Sequence, residues 1–189
     1  MCDKMLFRNI PEPHANILFD HQIYSVQKHG GISAYFNNLI LHFRQKGIMC
    51  NLPVLLTRNK SIPANATFIP DSGVSRLDIA ISLAMERYNR LESVRLLKQQ
   101  DFDVFHPTYY NPYFLDYIGS KPYIVTVFDM IHELYPEQFP SNDRTAEWKA
   151  ETVKHASHII AISNNTKKDI VRILGTKPDK ISVVYPGGE

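Results

Sequence analysis

The segment Phe128-Asp129-Met130-Ile131-His132-Glu133 sets two acids and a histidine within five residues, at the end of an apolar run. Asp129 could take a proton from a substrate hydroxyl or orient it. His132 could serve as well, because imidazole titrates near neutrality. A helix cap or a structural ion pair is the plainer use of the same acids. The order is not His-Glu-x-x-His, and a strand end is the wrong setting for that zinc-binding helix, so a metal role is set aside. A second group, His106-Pro107-Thr108-Tyr109-Tyr110, also follows a short apolar run. Tyr109 and Tyr110, with His106 beside them, suit a sugar or base, since phenol rings stack and still donate hydrogen bonds. Packing at a strand end is the ordinary alternative. A third group, Ser163 to Lys168, opens a helix with several capping residues and two positive charges. The fourth is Gly30-Gly31, between the apolar run Ile17–Phe19 and an amphipathic pattern. A strand, a glycine turn and a helix offer backbone N–H groups to an anion, although a simple helix start needs the same residues.

Elements that position these groups alternate between strand-like and helix-like runs, the pattern of an α/β fold with a mainly parallel sheet and helices on both faces. Strands are expected at 17–19, 51–57, 103–105, 123–128, 158–162 and 181–185. A helix carries Ile32, Phe36, Leu39, Ile40 and Phe43 on one face and stops at Gly47. A long helix covers 75–99, with Leu77, Ile81, Ala84, Tyr88, Leu91 and Val94 as its apolar face. Its Arg76, Arg87, Arg90 and Arg95 suit a plain solvated face or a membrane surface. Residues 134–144 read as a proline-containing loop, and helices follow near 145–156 and from Ser163 to Gly175. In an open parallel sheet, ligands bind beyond the carboxyl ends of the strands. That rule selects all four groups, in the loops 20–31, 106–112, 128–133 and 163–168.

With 189 residues, 44% hydrophobic and 21% charged, the chain has the composition of one globular domain. A net charge of +2 is too weak to argue for nucleic acid. Cys2 and Cys50 form neither a disulfide framework nor a metal motif, which fits a reducing, cytoplasmic setting. No apolar run approaches the ~20 residues of a spanning helix. Residues 1–15, with Pro11 and Pro13, read as an irregular extension rather than a signal peptide. The end on Pro186-Gly187-Gly188 reads as a linker, so a further domain is expected.

Taken in order, DHQI with HGGIS, DVFHPTYYNPYF, TVFDMIHELYPE, AISNNTKKDI and SVVYPGGE resemble the N-terminal domain of a family 4 retaining glycosyltransferase. That resemblance covers residues 16–189 and implies the acceptor-side half of a fold with two facing Rossmann-like domains (GT-B). Several segments are similar to bacterial transferases of surface-polysaccharide synthesis, among which mannosyltransferases are common. It implies that Gly30 and Gly31 approach the donor diphosphate, and that His106, Tyr109, Tyr110 and Ser163 lie on the acceptor side. Many relatives carry a histidine where this chain has Phe128, which leaves Asp129 and His132 as the catalytic candidates. The implied partners are a nucleotide sugar, a glycan or lipid-linked acceptor, the missing C-terminal domain and the inner membrane as a peripheral surface. Neither metal nor cofactor is implied. A stand-alone domain that binds a glycan or protein without catalysis is the main alternative. A nicotinamide-dependent oxidoreductase would need three spaced glycines, whereas Ser33 and Ala34 follow the pair here.

Overall fold

A computed structural model describes residues 15–60 and 66–187. Strand β1 (Asn16–Phe19) leads through a short helix α1 (Gln22–Val26) to helix α2 (Gly31–Gln45). Next come β2 (Met49–Asn51), the short strands β3 (Leu56–Thr57) and β4 (Thr67–Phe68), and the long helix α3 (Ser75–Gln99). Strands β5 (Val104–His106) and β6 (Ile124–Val127) follow, then the single-turn helix α4 (Ile131–Leu134) and helix α5 (Thr145–His155). Strand β7 (His158–Ala161), helix α6 (Asn164–Leu174) and strand β8 (Ile181–Val183) complete the domain.

All pairings are parallel. The order β2-β1-β5 joins β6-β7-β8 through a bridge between Phe105 and Tyr123, and β3 pairs with β4 apart from them. The chain moves outward from β1 to β2, then crosses to β5 on the other side of β1. The strand order therefore reverses between β1 and β5, where Rossmann-like folds open their ligand crevice. Alternation along β1 serves both sides of the sheet. Ile17 and Phe19 join Phe36 and Ile40 of α2, while Leu18 joins Leu97 of α3 and Val153 of α5.

Helix α2 buries the face its sequence announces, and Gly47 beyond its end adopts φ 79°. Helix α3 has the expected bounds but not the expected face. Met85, Asn89, Ser93 and Leu97 turn inward, while Leu77, Tyr88 and Leu91 stay exposed. Hydrogen bonding explains the difference. Asn89 Oδ1 accepts from the Leu55 and Leu56 amides (3.0 and 3.2 Å), and its Nδ2 donates to the Leu56 carbonyl (2.7 Å). Ser93 meets His21 Nδ1 at 2.8 Å. The expected strand at 51–57 is also split. Pro53 offers no N–H, Val54 N turns back on Leu52 O at 2.9 Å, and regular pairing resumes only at Leu56. The loop at 134–144 begins inside α4 and holds a 3-10 turn at Pro136–Gln138. Except for Ala15, the extension read at 1–15 lies outside the described residues, as do Gly188 and Glu189.

His106 ends β5 inside the core. Its Nε2 pairs with Thr126 Oγ1 at 3.0 Å and its ring stacks on Phe19 at 5.5 Å. Burial lowers its pKa from 6.5 to about 3. An unfolded chain takes up a proton below pH ~6.5 that the folded chain refuses until about pH 3, so stability falls as pH drops through that window. Acidification from pH 7 to 5 should cost the wild type about 2 kcal/mol more than His106→Gln, read from urea unfolding at each pH. Equal losses would show that His106 is not the titrating group.

Candidate functional site

Asp20 leaves β1 at the strand-order reversal with its side chain fully buried. Every partner it has is a donor, the pattern an ionised carboxyl demands. Oδ1 accepts from the Thr108 amide (2.8 Å), the Thr108 hydroxyl (2.7 Å) and the Gln22 amide (3.3 Å). Oδ2 accepts from Gln22 Nε2 (2.7 Å) and the Tyr113 hydroxyl (3.3 Å). Burial, then the Asp20 charge, pushes the Tyr113 phenol well up, so it stays a donor. Gln22 Oε1 in turn accepts from the Asn111 amide at 2.8 Å. One carboxylate thus ties the loop after β1 to the loop after β5, and α1 is held where it delivers the start of α2 to the same edge.

Gly30 carries extended backbone (φ 167°), and no side chain caps the first turn of α2; the Ser33 hydroxyl donates back to the Gly30 carbonyl at 3.0 Å. A Cβ added at Gly31 would have nothing within 4 Å. Gly31 and Tyr35 line an open cleft of about 570 Å³, whose other wall is Val184 to Gly187. The Tyr35 ring meets Phe128 edge-on, with centroids 5.2 Å apart, so the start of α2 and the end of β6 share one edge.

Beyond β6 the Asp129 carboxylate is 44% exposed and accepts from the Ile131 amide at 3.2 Å. Lys149 is wholly buried beneath it. Its Nζ donates to the Asp129 carbonyl (2.9 Å) and Glu133 Oε2 (3.0 Å), and lies 5.0 Å over the Tyr110 ring. His132 stacks on Phe139 at 3.9 Å, with Nε2 4.0 Å from Asp143 Oδ2. His132 Nδ1 and Glu133 Oε1 are buried without a hydrogen-bond partner. Tyr109 is half-buried nearby; burial raises its pKa first, then the charges of Asp129, Asp143 and Glu133. Among the described residues no three His, Cys, Asp or Glu side chains could together hold a metal ion.

The sequence-derived candidates thus divide. Gly31, Tyr109, Asp129 and His132 border the strand-end edge. His106 and Tyr110 are 1% and 3% exposed, so the acceptor contact expected of them is corrected to support from within. Tyr110 accepts from the Phe128 amide through its hydroxyl (3.2 Å) and so holds the end of β6. Ser163 caps α6, accepting from the Thr166 amide at 3.0 Å. Sequence reasoning placed Asp20 and Glu133 in the edge loops, with a structural ion pair as one use of the acids after β6, but it missed Lys149 and the donors that gather on Asp20. Lys149 left a signal: Thr145, Lys149, Thr152 and Val153 form the inward stripe of α5, and a lysine in such a stripe needs a buried anion.

The model of the family described as Glycosyltransferase Family 4 matches residues 29–187. The chain belongs to glycosyltransferase family 4. No curated protein matches it significantly. Among 14 matching solved chains is the crystal structure of Anabaena Alr3699/HepE in complex with UDP and glucose. That likeness has a TM-score of 0.56 at 17% identity, over 93% of this chain and 45% of HepE. The chain therefore spans less than half the length of that structure. The likeness shows the fold, the Rossmann-like half of a GT-B transferase. In this family 4 chain the edge formed by α2, β6 and α4 lies where such a fold receives ligands.

Breaking the buried pair tests how that edge is held. Lys149→Met should lower unfolding stability by roughly 3–5 kcal/mol, because Glu133 is left buried and uncompensated. Adding Glu133→Gln should restore at least half. A single substitution costing under ~1 kcal/mol, or a double variant no better than the single, would mean the pair does not hold α4 to α5.

Proposed function

We propose that this chain is the acceptor-side half of a retaining glycosyltransferase. It moves a sugar, with mannose the first to test, from a nucleotide-sugar donor to a glycan or lipid-linked acceptor. The setting proposed is bacterial surface-polysaccharide synthesis in the cytoplasm. The carrying observation is the half-exposed Asp129 carboxylate at the end of β6, on the edge that the Tyr35–Phe128 contact joins to the start of α2. An exposed carboxylate oxygen can accept from an acceptor hydroxyl, and a parallel sheet of this kind receives ligands beyond the carboxyl ends of its strands.

In this reading Asp129 receives or orients the attacking hydroxyl, His132 fixes its direction, and Tyr109 lays a ring against the acceptor. Phe128 fills the position where many relatives carry histidine, so polar work falls to its neighbours. Gly30 and Gly31 let the backbone come close to the donor diphosphate, and the N–H groups that open α2 meet its negative charge. Those groups and basic side chains stabilise the departing nucleotide, so the transfer is proposed to proceed without a metal. A second domain holds most of the nucleotide sugar. The presence of UDP and glucose in HepE supports this choice of donor class.

The full-length protein should release nucleotide from GDP-mannose or a UDP-sugar when offered a glycan acceptor. Gly31→Val should leave the melting temperature unchanged, since its Cβ meets nothing, yet weaken donor binding at least tenfold. Asp129→Asn should lower kcat roughly a hundredfold. No turnover with any sugar nucleotide would overturn the reading and leave a non-catalytic glycan- or protein-binding domain.

A further inference from the structure

A separate cavity of about 200 Å³ lies between residues 24–28, strand β3 and the middle of α3. The wall formed by 24–28 is fixed from β3 and the residues after it. Thr57 Oγ1 donates to the Tyr24 carbonyl (3.2 Å), Asn59 Nδ2 to the Gln27 carbonyl (2.7 Å) and the Lys60 amide to the Lys28 carbonyl (2.7 Å). Gln27 also backs directly on the glycine turn, since a Cβ added at Gly30 would meet Gln27 Oε1 at 2.6 Å. The cavity therefore sits behind the start of α2.

Its cations are already matched. Arg58, 7% exposed, pairs with Asp71 at 3.0 Å and Asp78 at 2.8 Å, and Lys28 pairs with Asp71 at 2.8 Å. Neither is left over for a phosphate. Glu86 is 43% exposed on the opposite wall. The His21 ring, 3.7 Å away, holds its carboxyl below the usual range, so Glu86 is an anionic acceptor at neutral pH. Ser82, one helical turn before it, adds a half-buried hydroxyl, and Val26 and Met85 add apolar surface. Among the described residues five buried side-chain polar atoms find no partner, and three belong to this cavity's walls: Ser25 Oγ, Gln27 Oε1 and Arg58 Nε. Polar atoms left unmatched concentrate where a polar occupant completes the hydrogen bonding.

We propose that this cavity binds one uncharged pyranose ring, with Glu86 and Ser82 exchanging hydrogen bonds with its hydroxyls. Such a ring needs acceptors and donors for its hydroxyls and apolar contact for its C–H face, and the walls offer both without a net charge to attract an ion. The ring belongs to the acceptor glycan or to a free saccharide. Its place behind Gly30 favours the acceptor, a choice that rests on the transferase function proposed above; binding itself does not.

Titration with the methyl α-glycosides of mannose, glucose and galactose, followed by amide chemical shifts, reads the proposal without a sugar nucleotide. At least one should move the Ser25, Gln27, Ser82 and Glu86 amides saturably. Glu86→Gln should weaken that binding roughly tenfold, the worth of a hydrogen bond to a charged group. Ser82→Phe should fill the cavity and abolish it, with thermal unfolding as the check that each variant folds. Asp129→Asn should bind as the parent does. Absence of these shifts with all three glycosides overturns the proposal, as do shifts confined to the Asp129 edge, parental binding by Glu86→Gln, or equal shifts of the same amides with inorganic phosphate. In the full-length transferase, a raised KM for the glycan acceptor in Glu86→Gln assigns the ring to the acceptor. An unchanged KM with weakened glycoside binding assigns it to a free saccharide. Failure to transfer sugar would leave the shift titration standing, so the two readings fail separately.

Discussion

The working edge of this domain depends on one buried carboxylate. Asp20 sits where the strand order reverses, and its two oxygens collect donors from Gln22, Thr108 and Tyr113. A charge in such a place survives only when its hydrogen bonds are complete, so the loops that supply the donors must keep one geometry. Thr108 belongs to the loop after β5 and Gln22 to α1. Fixing both also fixes where α2 begins, and hence where Gly30 and Gly31 present their backbone.

Lys149 performs the complementary task on the far half of the sheet. It enters from α5 and gathers the Asp129 carbonyl and the Glu133 carboxylate. The segment after β6 is thereby fastened by its backbone and its second acid, while the Asp129 carboxylate remains open to solvent. The Asp129 carboxylate itself accepts from the Ile131 amide at 3.2 Å and lies 3.8 Å from Lys149 Nζ, so the candidate group is held in place while part of it stays exposed. Phe128 links the two halves, since its ring packs on Tyr35 of α2 and its amide is held by Tyr110.

Much of this frame was legible in the residues. Alternation and helical period placed β1, α2, β6, β7 and α6, and the bounds of α3, because those elements bury side chains in proportion to their hydrophobicity. The inner face of α3 was not legible, since Asn89 and Ser93 are buried for their hydrogen bonds rather than their apolar surface. The roles of Asp20 and Lys149 were hidden for a related reason. Asp20 meets Thr108 across 88 residues, and no local pattern announces which distant loop will supply donors. His106 and Tyr110 misled because a polar residue at a strand end has the same sequence whether it faces the cleft or the core.

The tie at Asp20 is tested most directly by Asp20→Asn, read by urea unfolding together with amide hydrogen exchange. Asparagine keeps the shape but turns a donor toward Thr108 or Gln22, leaving buried donors unmatched. Unfolding stability should fall by on the order of 3 kcal/mol. Protection of the Gln22 and Thr108 amides should be lost together. A loss below ~0.5 kcal/mol, or exposure of one loop while the other stays protected, would contradict the claim that this carboxylate holds the edge.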